Sequence, residues 1–107
     1  MANTYKVLAQ GAPATQSDFT VGAGKSWVVS TLVICNTTTA AATYRIHARI
    51  AGATLASSNA IVLDATVNGN TTTALTLGIT LTATDVLSVI SGTSGSLTVT
   101  AFGNEIS

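Results

Sequence analysis

The stretch LTLGITLTATDVLSVI, residues 75–90, decides how the chain reads. Apolar residues alternate with Thr from Leu75 to Leu81, with Gly78 cutting across the pattern. A polar break, Thr82-Ala83-Thr84-Asp85, follows, and a second apolar run begins at Val86. Alternation with a period of two places side chains on opposite faces of a strand, one buried and one solvated. Gly78 inside such a run reads as a bulge. Asp85 reads as a turn residue whose carboxylate accepts hydrogen bonds from backbone amides ahead of Val86.

The same reading extends along the chain. Thr, Val and Ile dominate, and branching at Cβ suits a pleated, half-buried surface. Good helix formers are scarce, and no window repeats at 3.6 residues. Strands are expected at 5–9, 17–21, 26–35, 43–50, 59–65, 72–77, 86–91 and 96–102, with 79–81 leading into the turn before Val86. Turns fall at Gly11-Ala12-Pro13, Gly22-Ala23-Gly24, Ala51-Gly52-Ala53 and Asn68-Gly69, and Gly92-Thr93-Ser94-Gly95 is expected to close a hairpin. Residues 36–42 read as a loop of polar and small residues. The run around Trp27-Val28-Val29 and Leu32-Val33-Ile34 is apolar on both faces, as a central strand requires.

Seven or eight short strands in 107 residues give one domain, residues 1–107. One-sided burial requires two sheets packed face to face. The expected fold is a single all-β antiparallel sandwich, jelly-roll-like, although pattern alone does not separate that from immunoglobulin-like topology.

The composition narrows function by exclusion. Only 7% of residues are charged, against about 25% in an average domain, and the net charge is zero. Four basic residues are too few to neutralise a phosphate backbone or an anionic bilayer, so neither nucleic acid nor membrane is expected as a partner. A surface of Thr, Ser, Ala, Asn and Gly has little charge repulsion to keep copies apart. The first residues lack the basic start and apolar run of a secretory signal, and no apolar stretch reaches the ~18 residues of a membrane helix. Synthesis in the cytoplasm is therefore expected.

Chemistry is sparse. Cys35 is the sole cysteine and cannot form an internal disulfide; inside an apolar run it is expected to be buried and inert. His47 is the sole histidine, and a metal site on it would need Asp18, Asp64, Asp85 or Cys35, which are scattered singly. A solvated or interface position between Arg45 and Arg49 is expected instead. No nucleophile elbow or phosphate-binding loop is present, so no catalytic residues, metal or cofactor are assigned and the chain is not expected to be an enzyme. Sugar binding would need an exposed aromatic among Tyr5, Phe19, Trp27, Tyr44 and Phe102; Trp27 and Tyr44 read as core or interface. Arg45, His47 and Arg49 alternate onto one strand face as a polar stripe, opposite Tyr44, Ile46 and Ala48. Its acidic partner is sought in Asp64 or Glu105 of another copy. Long strands with few edge charges need their edges covered.

Three parts of the sequence carry a resemblance: MANTYKVLAQGAP at 1–13; VVSTLVICN at 28–36; and LTLGITL at 75–81 with TDVLSV at 84–89 and FGNEIS at 102–107. Together they resemble small virion proteins of tailed bacteriophages. The resemblance spans nearly the whole chain and carries no catalytic residues. It implies a small β-sandwich attached to the particle as a capsid decoration protein, or as a component near the tail or its fibres. It also implies a location in the virion, which needs no export signal because particles leave by lysis. A glycan- or receptor-binding module is the alternative. The partners expected are other copies of the chain, with a trimer favoured, and virion proteins such as a major capsid or tail protein. Contacts are assigned to Ala2, Asn3, Thr4 and Tyr5, to Arg45, His47 and Arg49, and to Asn104, Glu105, Ile106 and Ser107.

Overall fold

The computed structural model describes residues 3–92 and 95–107. Its strands are β1 (Asn3–Gly11), β2 (Gln16–Thr20), β3 (Ser26–Asn36), β4 (Ala42–Arg49), β5 (Ala60–Val67), β6 (Thr72–Leu75), β7 (Ile79–Thr82), β8 (Val86–Ser91) and β9 (Leu97–Ile106). Every expected strand is present. Two single-turn 3-10 helices, Ile50–Gly52 and Ser57–Asn59, lie in the β4–β5 connection. Thr93 and Ser94, read as part of a hairpin turn, lie outside the described residues, as does Ala2.

All pairings are antiparallel. One sheet has the order β1-β9-β3-β6, with β7 also on β3; the other has the order β2-β8-β4-β5. β6 and β7 occupy the same edge of β3, since Leu75 faces Leu32 and Ile79 faces Val29. Between these pairs two residues on β3, Ser30 and Thr31, oppose three on the edge, Thr76, Leu77 and Gly78, the single-residue excess of a bulge, with Gly78 at φ 60. Counted as one strand, β6/β7 makes eight strands in two four-stranded sheets. The chain changes sheet at every step except β4 to β5, β6/β7 being one strand. This is a jelly roll.

The core lies between the sheets. Leu32 and Ile34 from β3 and Val99 from β9 meet Ile46 from β4 and Leu87 and Val89 from β8, all essentially inaccessible to solvent. Trp27 and Tyr44 are buried, as their strand positions predict. In β3 the burial alternates with Trp27, Val29, Leu32, Ile34 and Asn36 inward, which turns Val28, Val33 and Cys35 outward. Cys35 is therefore half-buried on the outer row, and the expectation of a buried thiol is corrected. An apolar run with both rows hydrophobic does not reveal which row meets the core.

Two polar side chains close the ends of the sandwich. Asn36 is 1% exposed; its Nδ2 donates to the Ala40 and Val67 carbonyls at 2.8 and 3.0 Å, and its Oδ1 accepts from Thr38 N at 2.9 Å. Asp85 accepts from Thr82 N at 2.9 Å, the turn contact expected from sequence, and from Ala51 N at 2.8 Å, which ties the β4–β5 connection to the β7–β8 turn. These two amides, first that of Ala51, hold its carboxyl below the ordinary 3.8.

Candidate functional site

The two outer sheet faces differ in chemistry. Sequence register places the polar stripe of β4 on the outside of the β2-β8-β4-β5 sheet. There Arg45 lies exposed and forms a two-pronged pair with Asp64, Nε to Oδ1 at 2.7 Å and Nη2 to Oδ2 at 2.8 Å. Asp64 sits at φ 54 within a register shift of β5, where one extra residue interrupts the pairing with β4. The Arg45 bond and charge hold its carboxyl low. Arg49 donates to Ala53 O at 2.7 Å and to Ser88 Oγ at 3.2 Å, and lies 3.6 Å from Asp18. Asp18 also accepts from Ser88 and Gln16, at 2.6 and 2.9 Å. These bonds, Ser88 first and then Gln16, with the Arg49 charge, keep it ionised below its ordinary range.

His47 is only 2% exposed, which corrects the solvated alternative of its expected solvated or interface position. The β4–β5 connection folds over it. Asn59 donates its Nδ2 to Thr54 O at 3.0 Å, which leaves its Oδ1 to meet His47 Nδ1 at 2.7 Å. The network thus assigns the imidazole proton to Nδ1. Nε2 is buried and makes no hydrogen bond among the described residues. A surface pocket of ≈ 190 Å³ opens beside it, lined by Arg45, His47, Leu55, Ala56, Ser57 and Leu63.

The two terminal groups picked out separately in the sequence come together. β1 pairs with β9 so that Asn3 faces Ile106, Thr4 faces Glu105 and Tyr5 faces Asn104, with Ser107 just beyond. Glu105 points inward between β1 and β3. It accepts from Trp27 Nε1 at 3.0 Å and pairs with Lys6 at 3.2 Å and Lys25 at 3.5 Å. The Trp27 bond, then the Lys6 bond, hold its carboxyl below the ordinary 4.5. Ala2 lies outside the described residues. The Arg45, His47 and Arg49 stripe is on the opposite sheet and does not join this group. The acids proposed to come from another copy are met within the chain: Asp64 by Arg45, Glu105 by Lys6 and Lys25.

With Asp85 on its two amides, all four Lys and Arg residues and all four Asp and Glu residues are engaged internally. Sequence reading names Tyr5 as a contact and Phe102 as a candidate exposed aromatic, but not the outer row of the other sheet that they share with Val7. There Val7 of β1 stands opposite Phe102 of β9, beside Tyr5, with exposures of 46%, 40% and 82%. The alternation of Tyr5 and Val7 was visible, but which face it served depended on pairing between the two ends of the chain. Among the described residues no three of His, Cys, Asp and Glu cluster as metal ligands would, and no helix is long and apolar enough to cross a membrane.

The fold and these faces define a charge-compensated jelly-roll domain with one polar and one neutral outer sheet. No protein-family model matches the chain, and no curated protein matches it. Among solved structures, a chain in the structure of infectious bursal disease virus Gx strain is similar over 97% of this chain and 31% of that one, with 11% identity and a TM-score of 0.49. This chain therefore spans less than a third of that one's length. A likeness at that level bears no weight, and the fold rests on the strand order above.

Proposed function

We propose that the chain is a structural, non-enzymatic component of a bacteriophage virion, a decoration protein that holds to the capsid and to other copies of itself. One observation carries the reading: every formal charge is spent inside the domain, while Tyr5, Val7 and Phe102 stand exposed on a neutral sheet. With each charge already paired within the domain, little is left to steer a charged partner. Such a surface suits lasting contact with neutral protein surfaces. The jelly roll is an architecture that capsid domains use, which agrees with the resemblance carried by the start, middle and end of the sequence, although a fold alone does not define a function.

The test is electron microscopy of particles from the lysate, labelled with gold-conjugated antibody against the purified chain. Label distributed over the head is the expected result. Label confined to the tail or its fibres moves the protein there, and unlabelled particles overturn the reading.

A glycan-binding role is the second reading. It is favoured by the exposure of Tyr5 and Phe102, whose rings lie on one face where a sugar would stack. Signal on a glycan array that disappears in Tyr5→Ala or Phe102→Ala would replace the first reading with this one.

A further inference from the structure

We propose that two copies of this chain pack face to face through the outer surface of the β1-β9-β3-β6/β7 sheet. The inference rests on the assembly reading above and adds to it the surface and the partner.

The apolar pattern of β1 is inverted over its first half. Tyr5 and Val7 face outward with Asn104 and Phe102 of β9, while Thr4 and Lys6 share the inward row with Glu105 and Gly103. Only after the register shift do Leu8 and Ala9 pack on the core. A strand normally turns its apolar row to the core. Here that row is left bare, and a bare apolar row is the informative exception on a protein surface. Val28, Val33 and Cys35 of β3 lie on the same outer face, half-buried and set among Asn104, Thr100 and Thr98 of β9, with Thr31 opposite Phe102.

The outward row also lacks charge. By register it holds Asn, Gln, Ser, Thr and apolar side chains, with no Lys, Arg, His, Asp or Glu among the described residues. The outer face of the other sheet carries Asp18, Arg45, Arg49 and Asp64. Covering a charged surface with a neutral one strands charges away from water, whereas between two uncharged faces the hydroxyls and amides are satisfied by one another or by bridging water. The same face on a second copy is therefore the complement, and a two-fold axis makes the contact self-matching.

Four strands at ~4.8 Å spacing and about nine residues at ~3.3 Å cover roughly 550 Å² per copy, about 1,100 Å² for the pair, above the ~1,000 Å² a biological interface must clear and near the lower end of stable ones at ~1,200 Å². A two-fold contact builds pairs, in place of the trimer expected from sequence.

Sedimentation equilibrium of the full chain tests this. The wild type is expected at twice the chain mass. Val7→Glu and Phe102→Glu each place a charge at the centre of the face and are expected to weaken the pair at least tenfold, with the near-ultraviolet dichroism of buried Trp27 unchanged. Leu63→Glu, exposed on the other sheet, is expected to leave the mass alone. A readout without variants comes from the sole thiol: Cys35 should react more slowly with a thiol reagent as protein concentration rises. A monomer at all concentrations, a three-fold mass, concentration-independent Cys35 reactivity, or a pair dissolved by Leu63→Glu and not by Phe102→Glu would overturn the proposal. A monomeric chain that still labels particles removes this inference and keeps the virion reading. A pair absent from particles does the reverse.

Discussion

Asn36 and Asp85 hold the domain at single-residue scale. Asn36, 1% exposed, bridges three backbone groups. Asn36→Ala leaves two buried carbonyls and an amide without this partner, and each lost partner costs roughly 1–3 kcal/mol. A loss of about 3 kcal/mol in urea unfolding is expected, far above that of a surface Asn. Asp18, Asp64, Asp85 and Glu105 all titrate lower in the folded chain than their ordinary 3.8 or 4.5. Their contribution is fully present above those values and is lost as pH falls through the lowered folded ones. The urea midpoint should therefore drop below about pH 4.5 as these groups protonate. Asp85→Asn should be less stable at neutral pH and fall less steeply in acid. Asp85 was legible because a turn before a strand calls for such a side chain. Asn36 was not, because the end of a strand and the start of a loop look alike until the strand end is known to be buried. His47 was misread for a related reason: alternation assigns a face and says nothing of the loop that covers it.

At the scale of elements, a line of irregularities crosses one sheet. β1 shifts register between Val7 and Ala9, β3 between Val29 and Thr31, and β6 breaks from β7, all within the level of Ala101 to Gly103 of β9. Ser30 Oγ donates to Phe102 O at 3.2 Å within this line. Bulges add twist and bend to a strand, so the sheet is creased there. β3 runs so close to β9 at the crease that a Cβ on Gly103 would collide with the Val28 carbonyl. Gly78 has φ 60 and open space around it. Gly103→Ala is therefore expected to cost about 2 kcal/mol or more through overpacking, and Gly78→Ala about 1 kcal/mol from its backbone conformation alone. Thermal melts of the two variants check the order, and equal losses would contradict the crease. Strand positions and the Gly78 bulge were legible from period-two alternation and its interruption. The bulges at Leu8 and Ser30 were not, because neither carries a glycine or a break in the pattern, and register belongs to two strands at once.

The whole molecule joins its two ends: β1 and β9 pair along their length, and the contacts assigned separately to each terminus become one patch. No local signal reports a pairing between the first and last strands. One-sided burial did require two facing sheets, and eight strands at this spacing fit a closed sandwich. Composition foretold the neutral surface; only the structure showed that internal pairing consumes the few charges present. An assembly built on such a surface is apolar in origin, so added salt has no ion pairs between copies to screen. The most direct measurement is the sedimentation mass of the purified chain from low salt to about 1 M, where surface charge pairs are largely screened. A mass above that of the single chain, undiminished as salt rises, is predicted. A single-chain mass throughout, or an assembly that dissolves with salt, would contradict the account.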